Sequence, residues 1–153
     1  MQATKSQKTV SVLLGLFLIF TGSSHLTFQR TAFLAQVPNW LPINADLVVL
    51  ISGAIEIILG ISLLFLPELR VIIGWVIAFF FVAVFPGNIA QLVNQTDAFG
   101  LNTDLLRWLR LPLQPLLIIL VLWSTNAWRK WRDKIKLDKQ FDMKYFSINI
   151  SET

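Results

Sequence analysis

Four runs of apolar residues, each about twenty long, alternate with short polar stretches along the chain. They cover residues 9–28, 45–66, 69–93 and 105–128. A helix needs about 20 mostly apolar residues to cross the hydrocarbon of a bilayer, and each run is long enough. None alternates in polarity as the strands of a membrane barrel do. Backbone groups in lipid must be satisfied within their own segment, which leaves helices. The pattern therefore predicts an all-α integral membrane protein. Residues 1–128 form a four-helix bundle, and 129–153 form a basic tail. The competing reading of the first run, "KTVSVLLGLFLIFTGSS", is a secretory signal. The polar residues that follow it fit a bundle better.

Composition strengthens the membrane reading. The 153 residues are 55% hydrophobic and 14% charged, whereas soluble domains carry about 25% charged residues. Mean hydropathy is +0.64. Cysteine is absent and histidine occurs once. Disulfides, thiolate chemistry and multi-histidine zinc or haem sites are thereby excluded.

Charge sets the expected orientation. Seven of the thirteen Lys and Arg follow Trp128, which suggests a surface facing anionic lipid rather than nucleic acid. With four spans, Lys5, Lys8, Arg70 and the tail fall on one face. The positive-inside rule makes that face, and both termini, cytoplasmic, in a plasma or inner membrane. Arg107 and Arg110 go against the bias at the outer start of span four, so they are expected to point inward. Trp40, Trp108, Trp123, Trp128 and Trp131 suit the lipid–water interface. Trp128, Trp131 and Ile135 recur at helical spacing, so span four is expected to continue as an interfacial helix. The chain from about residue 143 is expected to be loose.

The polar residues inside the apolar runs carry the candidate chemistry. Glu56 lies roughly 16 Å along the second span, near mid-membrane. A lone carboxylate there costs about 2.5–3.5 kcal/mol on insertion scales. It must face the bundle interior and pair with a cation or hold a proton. Gly53, Glu56 and Gly60 share one helix face, and glycines there let a neighbouring helix approach. His25 lies near the outer end of span one, with Gly22 and Thr21 on its face. In span three Pro86 frees the carbonyl of Val82, and Asn88 and Gln91 follow. In span four Arg107, Arg110 and Gln114 share a face. Each span thus brings a polar group to the outer half of the membrane. The economical arrangement is a polar pocket lined by His25, Glu56, Asn88, Gln91, Arg110 and Gln114. Glu56 is its floor and Arg110 the expected partner, since a guanidinium can bind a carboxylate through two hydrogen bonds. His25 is a second partner or a proton carrier. The plain alternative is that these groups only glue the helices together.

The motifs "FTGSSHL", "VPNWLP", "SGAIEIILGISLL", "VFPGNIAQ" and "RLPLQPLLIILVLW" together resemble the DoxX-like family of small four-helix membrane proteins. The recurring positions fall on Gly22 and His25; Gly53, Glu56 and Gly60; Phe85, Pro86 and Asn88; Arg110, Pro112 and Gln114. The resemblance spans about residues 10–125. It implies a link to quinone-dependent oxidation or to membrane complexes that handle oxidative and thiol stress. The absence of cysteine speaks against thiol exchange by this chain itself.

Three functions are expected to compete. The first is a redox-associated subunit whose pocket takes a quinone or similar molecule. It has no covalent cofactor, and electrons would come from a partner protein. The second is a small-solute binding or transport module anchored by Arg110. The third is a structural or assembly subunit.

Overall fold

A computed structural model describes the backbone of residues 3–151 and the side chains of residues 3–140. Helix is the regular structure throughout, and no strand occurs among the described residues. Helix α1 spans Lys5–Leu26, α2 Arg30–Leu34, α3 Ala45–Phe65, α4 Arg70–Val93, α5 Asp104–Arg110, α6 Leu113–Ser124 and α7 Ala127–Ser151. Helices α1, α3, α4 and the α5–α6 pair are long and apolar enough to cross a membrane. The fold is thus an all-α membrane four-helix bundle.

Local chemistry sets the boundaries. Helix α1 begins four residues before its apolar run. The Thr4 side chain accepts from the Gln7 amide, and the Gln7 side chain accepts from the Thr4 amide. This capping box satisfies two donors the first turn would leave open. Asn44 caps α3 by accepting from the amides of Asp46 and Leu47. Pro86 sits inside α4 without ending it.

The fourth span departs from the sequence expectation at both ends. It is broken at Leu111–Pro112, because proline supplies no amide hydrogen to the preceding turn. It also does not run straight into the tail. Thr125 and Asn126 form a turn, with Asn126 in the left-handed region at φ 60°, and α7 starts afresh. Asparagine is among the few residues that tolerate this conformation after a helix. Helix α7 is helical through Ser151, so the loose end expected from residue 143 is not seen in the backbone.

The spanning helices form a ring. Helix α1 packs along α3 most extensively, α4 packs on α6, and α1–α6 and α3–α4 contacts close the circuit. The core holds Leu14, Leu18, Ile77, Phe81 and Val121. Outside, Phe20, Ile58, Ile72, Phe79 and Ile119 are all exposed. At most a third of each spanning segment is buried inside the protein, the inverse of a soluble core and the pattern lipid requires. The start of α1, the α3–α4 turn and the start of α7 share one end of the ring, here the basal end. The loop carrying α2 and the loop of residues 94–103 cover the distal end.

The α1–α3 seam has a glycine register. A Cβ on Gly22 would lie 2.6 Å from the Gly53 carbonyl oxygen, and one on Gly60 would lie 2.6 Å from the Gly15 oxygen. Two glycines seven residues apart on each antiparallel helix thus bring the backbones into contact. Gly15 completes a pattern of which Gly22, Gly53 and Gly60 were apparent from sequence.

Candidate functional site

The seam register places the distal end of α1 against the middle of α3. There His25 Nε2 lies 3.7 Å from Glu56 Oε2. His25 Nδ1 lies 3.0 Å from Ser52 Oγ and 3.4 Å from the Val49 carbonyl oxygen. Ser52 Oγ itself donates to that carbonyl. Both side chains are buried, and Glu56 Oε2 has no hydrogen-bond partner. His25 is thus the basic side chain beside the Glu56 carboxyl, at a distance longer than a hydrogen bond.

Arg110 does not pair with Glu56, contrary to the sequence expectation. Its Nη1 donates to Gln91 Oε1 at 2.8 Å, and its guanidinium carbon lies 4.8 Å from the centre of the Phe99 ring. The break at Leu111–Pro112 sets this direction, since Arg110 is the last residue of α5. Arg107, expected on the same inward face, turns elsewhere. It is buried and forms ion pairs with Asp97 and with Asp104, the latter at 2.7 Å. It fastens the distal loop to the start of α5.

Glu56 and Arg110 nonetheless line one cavity of about 300 Å³ at the distal half of the bundle. His25, Asn88 and Gln114 line it too, so five of the six expected pocket residues converge. Asn88 donates to Gln114 Oε1 at 3.2 Å, and Gln114 Nε2 donates to the Phe81 carbonyl at 2.8 Å. Neither Asn88 nor Gln91 bonds to the Val82 carbonyl that Pro86 frees.

Gln91 is the exception. It does not line the cavity. Its Oε1 accepts from Gln36 and Arg110, and its Nε2 faces the carbonyls of Thr96 and Ala98 at 3.4 and 3.3 Å. It is almost wholly buried. With both ends of the amide engaged, it is a clamp behind the wall that holds Arg110 and the distal loop.

The cavity has an aromatic cover that sequence reading missed. The His25 ring lies on Phe33, with ring centres 3.5 Å apart. Phe33 meets Phe99 edge-on at 4.6 Å, and Phe99 lies under Arg110. Phe33 comes from the short helix α2. Phe99 comes from the second distal loop, where it and Gly100 are both left-handed, at φ 59° and 73°. A bulky residue with positive φ is uncommon, and here it coincides with a ring placed over the site. Aromatic residues in distal loops resemble ordinary interface anchors, so hydropathy alone gave no signal for them.

The cavity reaches the lipid-facing surface. Phe17 and Phe20 of α1 and Leu113 and Leu117 of α6 form part of its wall. Phe20 is 64% exposed and Leu113 53%. Its buried lining residues His25, Glu56, Asn88 and Gln114 are polar, and its exposed lining residues Phe17, Phe20 and Leu113, from α1 and α6, are apolar. Among the described residues no cluster of three His, Asp or Glu side chains could hold a metal ion.

A family described as a domain of unknown function (DUF8561) matches residues 14–126. No curated protein and no solved structure matches the chain.

Proposed function

The chain belongs to the DUF8561 family, a domain of unknown function, and on that footing we propose that its bundle receives a small membrane-dissolved molecule, best matched by a quinone. All residues lining the cavity fall within the matched stretch. The observation that carries the proposal is the cavity's polarity: buried polar lining residues, and exposed apolar lining residues on α1 and α6, which we take as an apolar mouth between those helices. A ligand that lives in the bilayer enters sideways through such a mouth. At about 300 Å³ the site is at the small end of ligand pockets. It suits a headgroup whose tail stays in lipid.

Each polar residue has spare capacity for such a headgroup. Arg110 uses one of its five N–H donors on Gln91, and Gln114 uses one of two on Phe81. They are placed to donate to a quinone carbonyl. Reduction of a quinone to a quinol consumes two electrons and two protons. Glu56 and His25 supply the proton path, and the electrons come from a redox partner protein. The resemblance to DoxX-like proteins supports the same reading.

The basal end carries Lys5, Lys8, Arg70 and the basic residues at the start of α7. By the positive-inside rule we place that end in the cytoplasm. The chain has no native cysteine, so single-cysteine variants are clean reporters. An impermeant maleimide added to intact cells should label Q95C and spare K8C; the opposite pattern would reverse the orientation.

The binding proposal is tested on purified full-length protein in nanodiscs. Short-chain benzoquinones and naphthoquinones should raise Tm saturably. The apparent affinity should fall about tenfold in R110L. A ring-free isoprenoid alcohol of equal tail length should not reproduce the effect. Equal stabilisation by that alcohol, or none by any quinone, would overturn the reading.

A further inference from the structure

A second cavity, of about 650 Å³, lies at the basal end in the elbow between α6 and α7. One wall is apolar: Ile118, Ile119 and Leu122 of α6. Ile119 is 64% exposed, so this wall opens to the acyl chains. The other wall is Arg129 and Arg132 of α7, with Trp123 and Trp128 beside them. The two arginines are three residues apart and share a helix face. Among the described residues neither makes an ion pair.

The elbow is built rather than incidental. Ser124, Thr125, Asn126 and Ala127 are all buried. Thr125 Oγ1 donates to the Val121 carbonyl at 2.7 Å. A Cβ on Gly74 of α4 would lie 2.1 Å from that same hydroxyl, so only glycine lets the elbow seat there. Gln7 of α1 donates to the Trp123 carbonyl at 2.9 Å and to Asn126 Oδ1 at 2.8 Å. Trp131 of α7 then meets Trp75 of α4 edge-on, with ring centres 6.4 Å apart. Three helices thus fix the direction in which α7 leaves the bundle, and with it the position of both guanidinium groups.

We propose that this elbow is a binding site for one anionic phospholipid. Its phosphate is held by Arg129 and Arg132, and its acyl chain lies against Ile118, Ile119 and Leu122. Guanidinium groups suit phosphate oxygens through paired N–H donors. Tryptophans at the headgroup level complete the match to an interfacial ligand. The site shares no lining residue with the distal cavity, so it stands or falls independently of the quinone proposal.

Native mass spectrometry of the full-length protein released from detergent micelles tests it. The probes are phosphatidylglycerol, phosphatidylcholine with the same acyl chains, and glycerol 3-phosphate. One tightly retained phosphatidylglycerol per chain is expected, bound about tenfold more tightly than phosphatidylcholine. R129Q/R132Q should lose that preference. K130Q/K134Q removes equal charge from the opposite face of α7 and should keep it. I119W leaves both arginines in place and fills the acyl side, and it should weaken phosphatidylglycerol binding. Glycerol 3-phosphate should not compete at concentrations matching the lipid. Equal losses in the two charge variants would reduce the effect to general attraction and overturn the site. Full competition by glycerol 3-phosphate would make it a phosphate site rather than a lipid site.

Discussion

His25 Nε2 faces Glu56 Oε2 across the α1–α3 seam at 3.7 Å, too long for a hydrogen bond, and that oxygen has no hydrogen-bond partner among the described residues. The imidazole is thus the nearest basic group to a carboxyl that the protein buries. Removing the imidazole takes away the basic group facing the carboxyl, the contact with Ser52 Oγ and the packing on Phe33. H25L should cost about 1–3 kcal/mol of stability. The double variant H25L/E56L should lose less than the two single changes summed, by about 1 kcal/mol. In contrast, R110L and E56Q should be additive within about 0.5 kcal/mol, because Arg110 spends its contact on Gln91. Reversible unfolding in mixed micelles measures both cycles. Strong coupling between Arg110 and Glu56 with none between His25 and Glu56 would reverse the assignment.

The seam that brings the pair together depends on backbone contact. A Cβ on Gly53 would meet His25 Cβ at 2.7 Å and the Gly22 oxygen at 2.9 Å. Neither the backbone nor the root of a side chain can step aside, so the helices must separate. G53A should destabilise by about 1–3 kcal/mol and displace His25 from Glu56. G100A faces open space but sits at φ 73°. It should cost about 1–2 kcal/mol through backbone strain alone and leave the seam intact. A cysteine pair bridging α1 and α3, tested by crosslinking yield, distinguishes the two. Yield should drop in G53A and hold in G100A.

Gln91 is expected to behave as a structural clamp. Replacing it with Leu removes the acceptor of Arg110 and Gln36 and the donor facing Thr96 and Ala98. A loss of about 2–3 kcal/mol follows if net hydrogen bonds are worth about 1 kcal/mol each. The effect should be local. Amides of residues 95–101 should exchange faster, while those of α1 and α3 keep their protection. Uniform deprotection of the bundle would show that Gln91 holds more than the distal loop.

Much of this architecture was legible in the sequence, for physical reasons. In an apolar run each polar residue is costly, so each must have a purpose facing inward. The length of the apolar runs located the four spans, and that cost pointed His25, Glu56, Asn88, Arg110 and Gln114 to one cavity. It could not choose among partners at similar depth, and it paired Glu56 with Arg110. The choice was made by two details without a hydropathy signature. One is the glycine register that sets His25 beside Glu56. The other is the break at Pro112 that turns Arg110 toward Gln91. The elbow at Asn126 escaped for a related reason, because a left-handed asparagine between polar and apolar residues leaves the helical period on either side undisturbed. Phe33 and Phe99 escaped because an aromatic ring over a site and one at an interface look alike in sequence.

The aromatic cover gives the last prediction. Phe99 touches both Arg110 and Phe33, so F99A removes a cation–π contact and an edge-on aromatic contact together. Each is worth about 0.5–1.5 kcal/mol, so a stability loss of about 1–2 kcal/mol is expected. Function should respond more than stability does. Phe99 lines the cavity beside Arg110 and Phe33, and its loss should admit water to the polar wall. Water competes for the donors of Arg110 and Gln114, so a bound quinone should dissociate about tenfold faster. Association through the apolar mouth should be little changed. F20A offers the contrast, since Phe20 lies at the mouth and its removal should raise the association rate instead. Stopped-flow binding in nanodiscs separates the two rate constants. Identical kinetic effects from F99A and F20A would show that the cover and the mouth are not distinct.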